Sequence, residues 1–138
     1  MQITEETEDK YESIKELQNA HLQASLVVGV EAANVINVAI QLAEGKSGDD
    51  LAVRAGVYAY LSDDANGDTI ATTAPSGGVA IGTDGLLDAM TAGKSFWLVS
   101  EADGDIDIDI TEIGVATWYL VVVLPSGRLA VSSAITFA

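Results

Sequence analysis

The chain contains no cysteine. Disulfides, thiolate nucleophiles, iron–sulfur clusters and cysteine-ligated zinc are therefore excluded. It has one histidine, His21, which excludes a multi-histidine metal site within one chain and leaves few options for a histidine-based triad. Positive charge is scarce: 6 Lys and Arg stand against 21 Asp and Glu, a net charge of −15. Such a surface repels nucleic-acid phosphates and anionic membranes. It suits a very soluble protein, or one that meets a cationic surface or a metal. Long apolar runs are missing as well. The longest, Trp118 to Leu124, spans 7 residues, whereas a membrane helix needs about 20. The opening "MQITEETEDKYE" is acidic where a secretory signal is basic and then apolar. The expectation is a protein with no nucleic-acid or membrane partner, made and used without the secretory route.

What is present divides near residue 25. Residues 1–25 hold no Gly or Pro and are rich in Glu, Lys, Gln and Leu. Tyr11, Ile14, Leu17 and His21 follow steps of three and four, with Leu22 and Ala24 beside them, which predicts an amphipathic helix. Thr4 is a candidate N-cap, with Glu5 and Glu6 in the first turn. The stripe is narrow, so this helix reads as an arm whose Tyr11, Ile14, Leu17 and Leu22 dock on a partner. From residue 26 to 138 the composition shifts to Val, Ile, Thr and Gly. Short apolar runs alternate with turns such as "DDANGD" (63–68), "TDG" (83–85), "ADG" (102–104) and "PSG" (125–127). No βαβ rhythm appears, and the pattern predicts an antiparallel β-sandwich, with an Ig-like form as one possibility. Strands are predicted over "NVINVAIQL", "VRAGVYAYLS", "DTIATTA", "GVAIG", "KSFWLVSEA", "DIDIDIT", "TWYLVVVL" and "RLAVSSAITFA". "GLLDAM" (85–90) reads as a helical turn or a loop.

The clearest hairpin is "TWYLVVVLPSGRLAVSSAITF". Trp118, Leu120, Val122 and Leu124 share one face of its first strand; Tyr119, Val121 and Val123 share the other. Both faces are apolar, so the strand is either covered on both sides within the chain or buried against another subunit. In the second case Tyr119, Val121 and Val123 form an oligomer interface, a dimer being favoured. The small residues Ser132, Ser133 and Ala134 would let a neighbour approach closely.

Two acidic stretches invite a metal reading. In "DIDIDIT", Asp105, Asp107 and Asp109 line one strand face and Ile106, Ile108 and Ile110 the other. Side chains on one face repeat every 6.6–6.8 Å or so. Oxygens sharing one calcium lie at most about 5 Å apart. A straight strand thus does not gather these aspartates on one ion, and they read as a solvated face or a docking stripe. "SDDANGD" (62–68) is the better candidate, since Asp63, Asp64, Asn66 and Asp68 surround a turn at Gly67. It resembles part of an EF-hand loop, but Ser62 stands at the first place and Thr73 at the twelfth, where a bidentate Glu belongs. Ordinary Asx turns have the same composition. For catalysis there is no Ser-His-Asp pattern and no G-x-G-x-x-G, and "APSGGVAIG" lacks the lysine of a phosphate loop. The reading is a non-enzyme without cofactor or metal. The aromatics Trp97, Trp118, Phe96, Tyr58, Tyr60 and Tyr119 lie in strand runs, where core packing is the default; a sugar platform needs them together on one outer face.

In its phrasing the chain resembles the small decoration, or cement, proteins that coat the heads of tailed bacteriophages, above all those of short-tailed phages such as the one infecting Bordetella. The segments that carry the resemblance are "VINVAIQL" (35–42), "YLSDDANGD" (60–68), "TAPSGGVAIGTDGLL" (73–87), "LVSEADGDIDIDITEIG" (98–114) and "YLVVVLPSGRLAVSSAITFA" (119–138). The resemblance implies a jelly-roll-like sandwich and a non-enzymatic, oligomeric protein. It implies binding to the outer capsid surface of the virion, bracing neighbouring major capsid proteins, after assembly in the host cytoplasm. The alternative is an Ig-like or other sandwich module of a phage fibre or surface protein that recognises carbohydrate or calcium.

Overall fold

The computed structural model describes residues 22–138. These form ten strands: β1 (Leu22–Val28), β2 (Val35–Glu44), β3 (Gly56–Ser62), β4 (Val79–Ile81), β5 (Leu86–Thr91), β6 (Ser95–Val99), β7 (Asp105–Thr111), β8 (Ala116–Val123), β9 (Leu129–Val131) and β10 (Ile135–Phe137). They build two antiparallel sheets. One has the order β1-β2-β7-β4; the other has the order β10-β8-β3-β6-β5, with β9 also on β8. The two pack as a β-sandwich around a single apolar cluster.

Period-2 alternation explains most of this. In β7 every isoleucine is buried and every aspartate only partly so. Ile106, Ile108 and Ile110 pair across the ladder with Ile40, Val38 and Ile36 of β2. From the other sheet, Phe96, Leu98, Leu120, Val122, Ile135 and Phe137 close the core, all but fully buried. Each such side chain contributes about 1.5–3 kcal/mol of hydrophobic stabilisation relative to exposure. Trp118 joins this core at 2% exposure. It meets Phe137 edge-on with centroids 6.0 Å apart, and its indole N–H donates to the Thr73 carbonyl.

Four expectations need correction. Residues 22–25, read as the end of the helical arm, are the start of β1, which pairs with β2 from Leu22↔Glu44 to Val28↔Val38. Leu22 and Ala24 continue a period-2 row with Leu26 and Val28, and all four pack against the core. That row crosses the boundary placed at residue 25, and two residues of it coincide with the three-and-four stripe. Leu22 is therefore a sandwich residue and not part of a free apolar strip. Tyr11, Ile14, Leu17 and His21 lie outside the described residues.

"GLLDAM" holds β5, an edge strand on β6 with a bulge at Ala89–Thr91. Only Leu87 of β5 packs against the core, so the strand lacks the alternation that reveals its neighbours. "DTIATTA" is not a strand. It meets the sheet through one bridge, Ser62↔Ile70, through Ala71 in the core and through the Thr73 carbonyl that accepts the Trp118 indole N–H. Asp63 takes the Thr72 N–H and hydroxyl for itself, which bends the segment into a loop. Finally, "RLAVSSAITFA" is split into β9 and β10. Three residues between Val131 and Ile135 face two between Trp118 and Val121 on β8, a β-bulge. Ser132 fills the irregularity: its hydroxyl accepts the Leu120 N–H at 2.9 Å and donates to the Ser133 carbonyl at 2.7 Å. The small residues here satisfy a bulge within the chain.

Candidate interaction surfaces

The sandwich presents two outer faces of opposite character. On the four-stranded sheet, Asn37 and Gln41 of β2 stand opposite Asp109 and Asp105 of β7. The aspartates are engaged. Asp107 accepts the backbone N–H groups of Thr83 and Asp84, the latter at 2.6 Å. It also accepts the Asn37 amide at 2.8 Å, and the same amide reaches Asp109 at 2.8 Å. Burial works to raise the Asp107 carboxyl, but the Asp84 and Asn37 donors, with Thr83, outweigh it and hold it below the usual carboxylate range. Asp105 goes the other way: burial, and then the nearby Asp103 carboxylate, push it up. The stripe is thus neither a metal cradle nor a uniform solvated row. Its middle member anchors the 82–85 turn to the sheet.

The loop at 62–68 uses its carboxylates in the same manner. Asp64 accepts the Asn66 and Asp68 N–H groups at 2.8 and 3.1 Å and the Thr69 hydroxyl at 3.1 Å. The Asp68 N–H is the largest influence holding its carboxyl below the usual range. Asp63 is bound to Thr72. This is an Asx turn. Among the described residues no three acidic or histidine side chains converge on a point where a metal ion could sit.

That loop also covers part of the other sheet. The Tyr60 hydroxyl donates to the Gly67 carbonyl, and Gly67 adopts φ +76°. A Cβ there would lie 3.0 Å from Val121 Cγ2, so only glycine lets the loop lie this close. Under the loop, Val121 has no exposure. Burial, then the Tyr58 and Asp64 charges, push the Tyr60 hydroxyl up. Of the three residues predicted as an oligomer surface, Val121 is therefore enclosed within its own chain, while Tyr119 and Val123 are half-buried.

The rest of this outer face is open. The registers β9–β8, β8–β3, β3–β6 and β6–β5 align one row across five strands: Leu129, Val123, Tyr58, Trp97 and Asp88. At a strand spacing of 4.7–4.9 Å the row is about 19 Å long. Leu129 and Trp97 are each 45% exposed, and Leu86, in the next row opposite Val99, is 62% exposed. A Cβ at Gly56 would run into the six-membered ring of Trp97, so the indole lies down over Gly56 and keeps the face low. Tyr58 and Tyr60 are neighbours on it, with centroids 5.9 Å apart.

The sequence predicts that the aromatics divide by default into the core. The structure sends Trp118 and Phe96 there and puts Trp97, Tyr58 and Tyr60 on one outer face. Alternation along β6, with Phe96 and Leu98 buried on either side of Trp97, is the signal that separates them. No family model matches the chain, and no curated protein matches it. Among solved structures, a cohesin module of a family 33 glycoside hydrolase from Clostridium perfringens is similar over 86% of this chain and 94% of that one, at 12% identity and a TM-score of 0.40.

Proposed function

We propose that this chain is a non-enzymatic structural protein that coats the outer surface of a tailed-phage capsid and braces neighbouring major capsid proteins. The observation that carries the reading is a coincidence of segments. The stretches that resemble cement proteins, spread over 35–138, supply β2, β4, β7 and β8–β10 and the loops that lock them. The resemblance therefore follows the framework of one sandwich. The chain crosses between sheets after β2, β3, β4, β6 and β7, which favours the jelly-roll form over the Ig-like one. The net charge of −15 suits a place outside the shell, away from packaged DNA. The protein assembles in the host cytoplasm as a homo-oligomer, a dimer being favoured. Residues 1–21, with Tyr11, Ile14 and Leu17, serve as the attachment arm, and repeated weak contacts around the shell add by avidity.

Co-sedimentation of the purified full chain with mature capsids stripped of their coat tests this reading. Saturable binding to capsids is the expected result; protein that stays in the supernatant at every ratio sinks it. A second reading, a carbohydrate-binding module of a fibre or surface protein, is favoured by one observation: Trp97 and Tyr58 share an open face. A glycan array separates it from the first.

A further inference from the structure

A chain that braces neighbouring capsid proteins must touch two of them. Residues 1–21 supply one contact in the proposed function, and the open face of the six-stranded sheet has the make-up of a second. Three residues stand side by side on it. Tyr58 of β3 pairs with Trp97 of β6, and Trp97 pairs with Asp88 of β5, so Cβ atoms of neighbours are about 4.5–5.5 Å apart. Trp97 is a platform. A Cβ at Gly56 would run into indole Cζ2 and lie 2.9 Å from Cε2, so one face of the ring system rests on the Gly56 backbone. The other face is open, and Trp97 is 45% exposed. Negative charge surrounds this platform and positive charge does not. The one ion pair among the described residues is Arg54–Glu101, so Asp88 has no cation there. One row away, over Tyr60 and Val121, the 63–68 loop adds Asp63, Asp64 and Asp68. Burial, then the Tyr58, Asp64 and Asp68 charges, push the Tyr60 hydroxyl up, so these carboxylates act on the same face. Strands β3, β5, β6, β8 and β9 contain no lysine or arginine.

We propose that an arginine side chain on the surface of a partner protein stacks on the open face of Trp97, with the Asp88 carboxylate as its counter-charge. An exposed indole attracts a cation through its ring quadrupole. A guanidinium suits this place better than an ammonium, because it is planar and weakly hydrated and lies flat on a flattened ring. The acidic loop one row away adds attraction at longer range. The net charge of −15 draws a basic surface in, whereas it gives a neutral glycan no such attraction. Each contact of this kind is weak, and repetition around a shell adds by avidity. The inference rests on the capsid reading for the identity of the partner, and deepens it by naming the face and the chemistry of the second contact.

The test is a nuclear magnetic resonance titration of the full chain with an acetylated, amidated peptide that holds two arginines, and with its dilysine counterpart. The indole N–H signal of Trp97 should move. That of Trp118, which is buried and donates to the Thr73 carbonyl, should stay. The diarginine peptide should bind more tightly than the dilysine one. Trp97→Leu should weaken binding about two- to fivefold, and Asp88→Asn about twofold. Trp97→Tyr keeps a ring and should lose less than Trp97→Leu. Asp49→Asn removes the same charge from the exposed turn after β2 and should change binding less than Asp88→Asn does. Circular dichroism separates loss of folding from loss of binding, and the tyrosine variant guards against a leucine variant that fails to fold. Binding indifferent to both Trp97→Leu and Asp88→Asn overturns the inference. So does equal affinity for the two peptides, or a neutral oligosaccharide that moves the Trp97 signal where the diarginine peptide does not. A chain that takes the peptide through Trp97 but does not sediment with capsids defeats the capsid reading alone. Capsid binding without any response of Trp97 to arginine defeats this inference alone.

Discussion

The two outer faces of this sandwich solve opposite problems. On the four-stranded sheet, carboxylates that look free in the sequence are spent inside the molecule. Asp107 holds the 82–85 turn and, through Asn37, is tied to Asp109. On the six-stranded sheet, apolar residues that look like core are left outside. Trp97 and Leu129 keep 45% of their surface exposed, whereas Val121 on the same face is enclosed by a loop. Charge does not mark free surface here, and apolarity does not mark the core. What separates structure from surface is whether a group has found its partner within the chain.

Strand β7 offers the sharpest way to break this comparison, because its two faces differ residue by residue. Ile108→Ala, in the core, should cost about 2–5 kcal/mol in chemical denaturation. Asp107→Ala, one residue away and pointing out, should cost about 1–3 kcal/mol, because the Asp84 and Thr83 N–H groups and the Asn37 amide lose their acceptor. A neutral result there would show that the turn stands without its anchor. Asp105→Asn should be neutral or stabilising by a few tenths of a kcal/mol, since it removes a carboxylate that burial and Asp103 disfavour.

The same contrast predicts a pH dependence. The folded-state pKa of Asp107 is depressed, so its stabilisation is present above the unfolded-chain value near 3.9 and is lost as pH falls through the folded value. Asp105 is raised, so its destabilising effect is felt at neutral pH and is relieved as pH falls through its folded value. Urea midpoints should fall below about pH 4 in the natural chain, and Asp107→Asn should flatten that fall.

Much of this fold is legible in the sequence, for stated reasons. The Ile–Asp alternation of β7 and the two apolar faces of β8 leave little freedom in register. The missed elements share a cause: their inward rows are weak or shared with another period. β5 sends one leucine inward, and β1 begins on residues that also fit a helix. The loop 68–74 has strand composition, but Asp63 binds Thr72 first. The candidate surface was legible only in part. Tyr119, Val121 and Val123 lie on the same outer face as Tyr58 and Trp97, yet the covering loop and the alignment of Trp97 with Tyr58 depend on long-range register, which local pattern does not contain. For the arm, the strand that begins at Leu22 fixes the useful truncation. Deleting residues 1–21 leaves every described strand intact, so it should preserve stability within about 0.5 kcal/mol while weakening capsid attachment. A truncated chain that unfolds would assign those residues to the fold.

The central claim is that this sandwich sits on the outside of a shell. Cryo-electron microscopy of phage particles with and without the protein tests it most directly. The account predicts added density of sandwich size on the outer capsid surface, lying across junctions between major capsid proteins. Identical shells in the two reconstructions, or added density on the inner surface beside DNA, would contradict it.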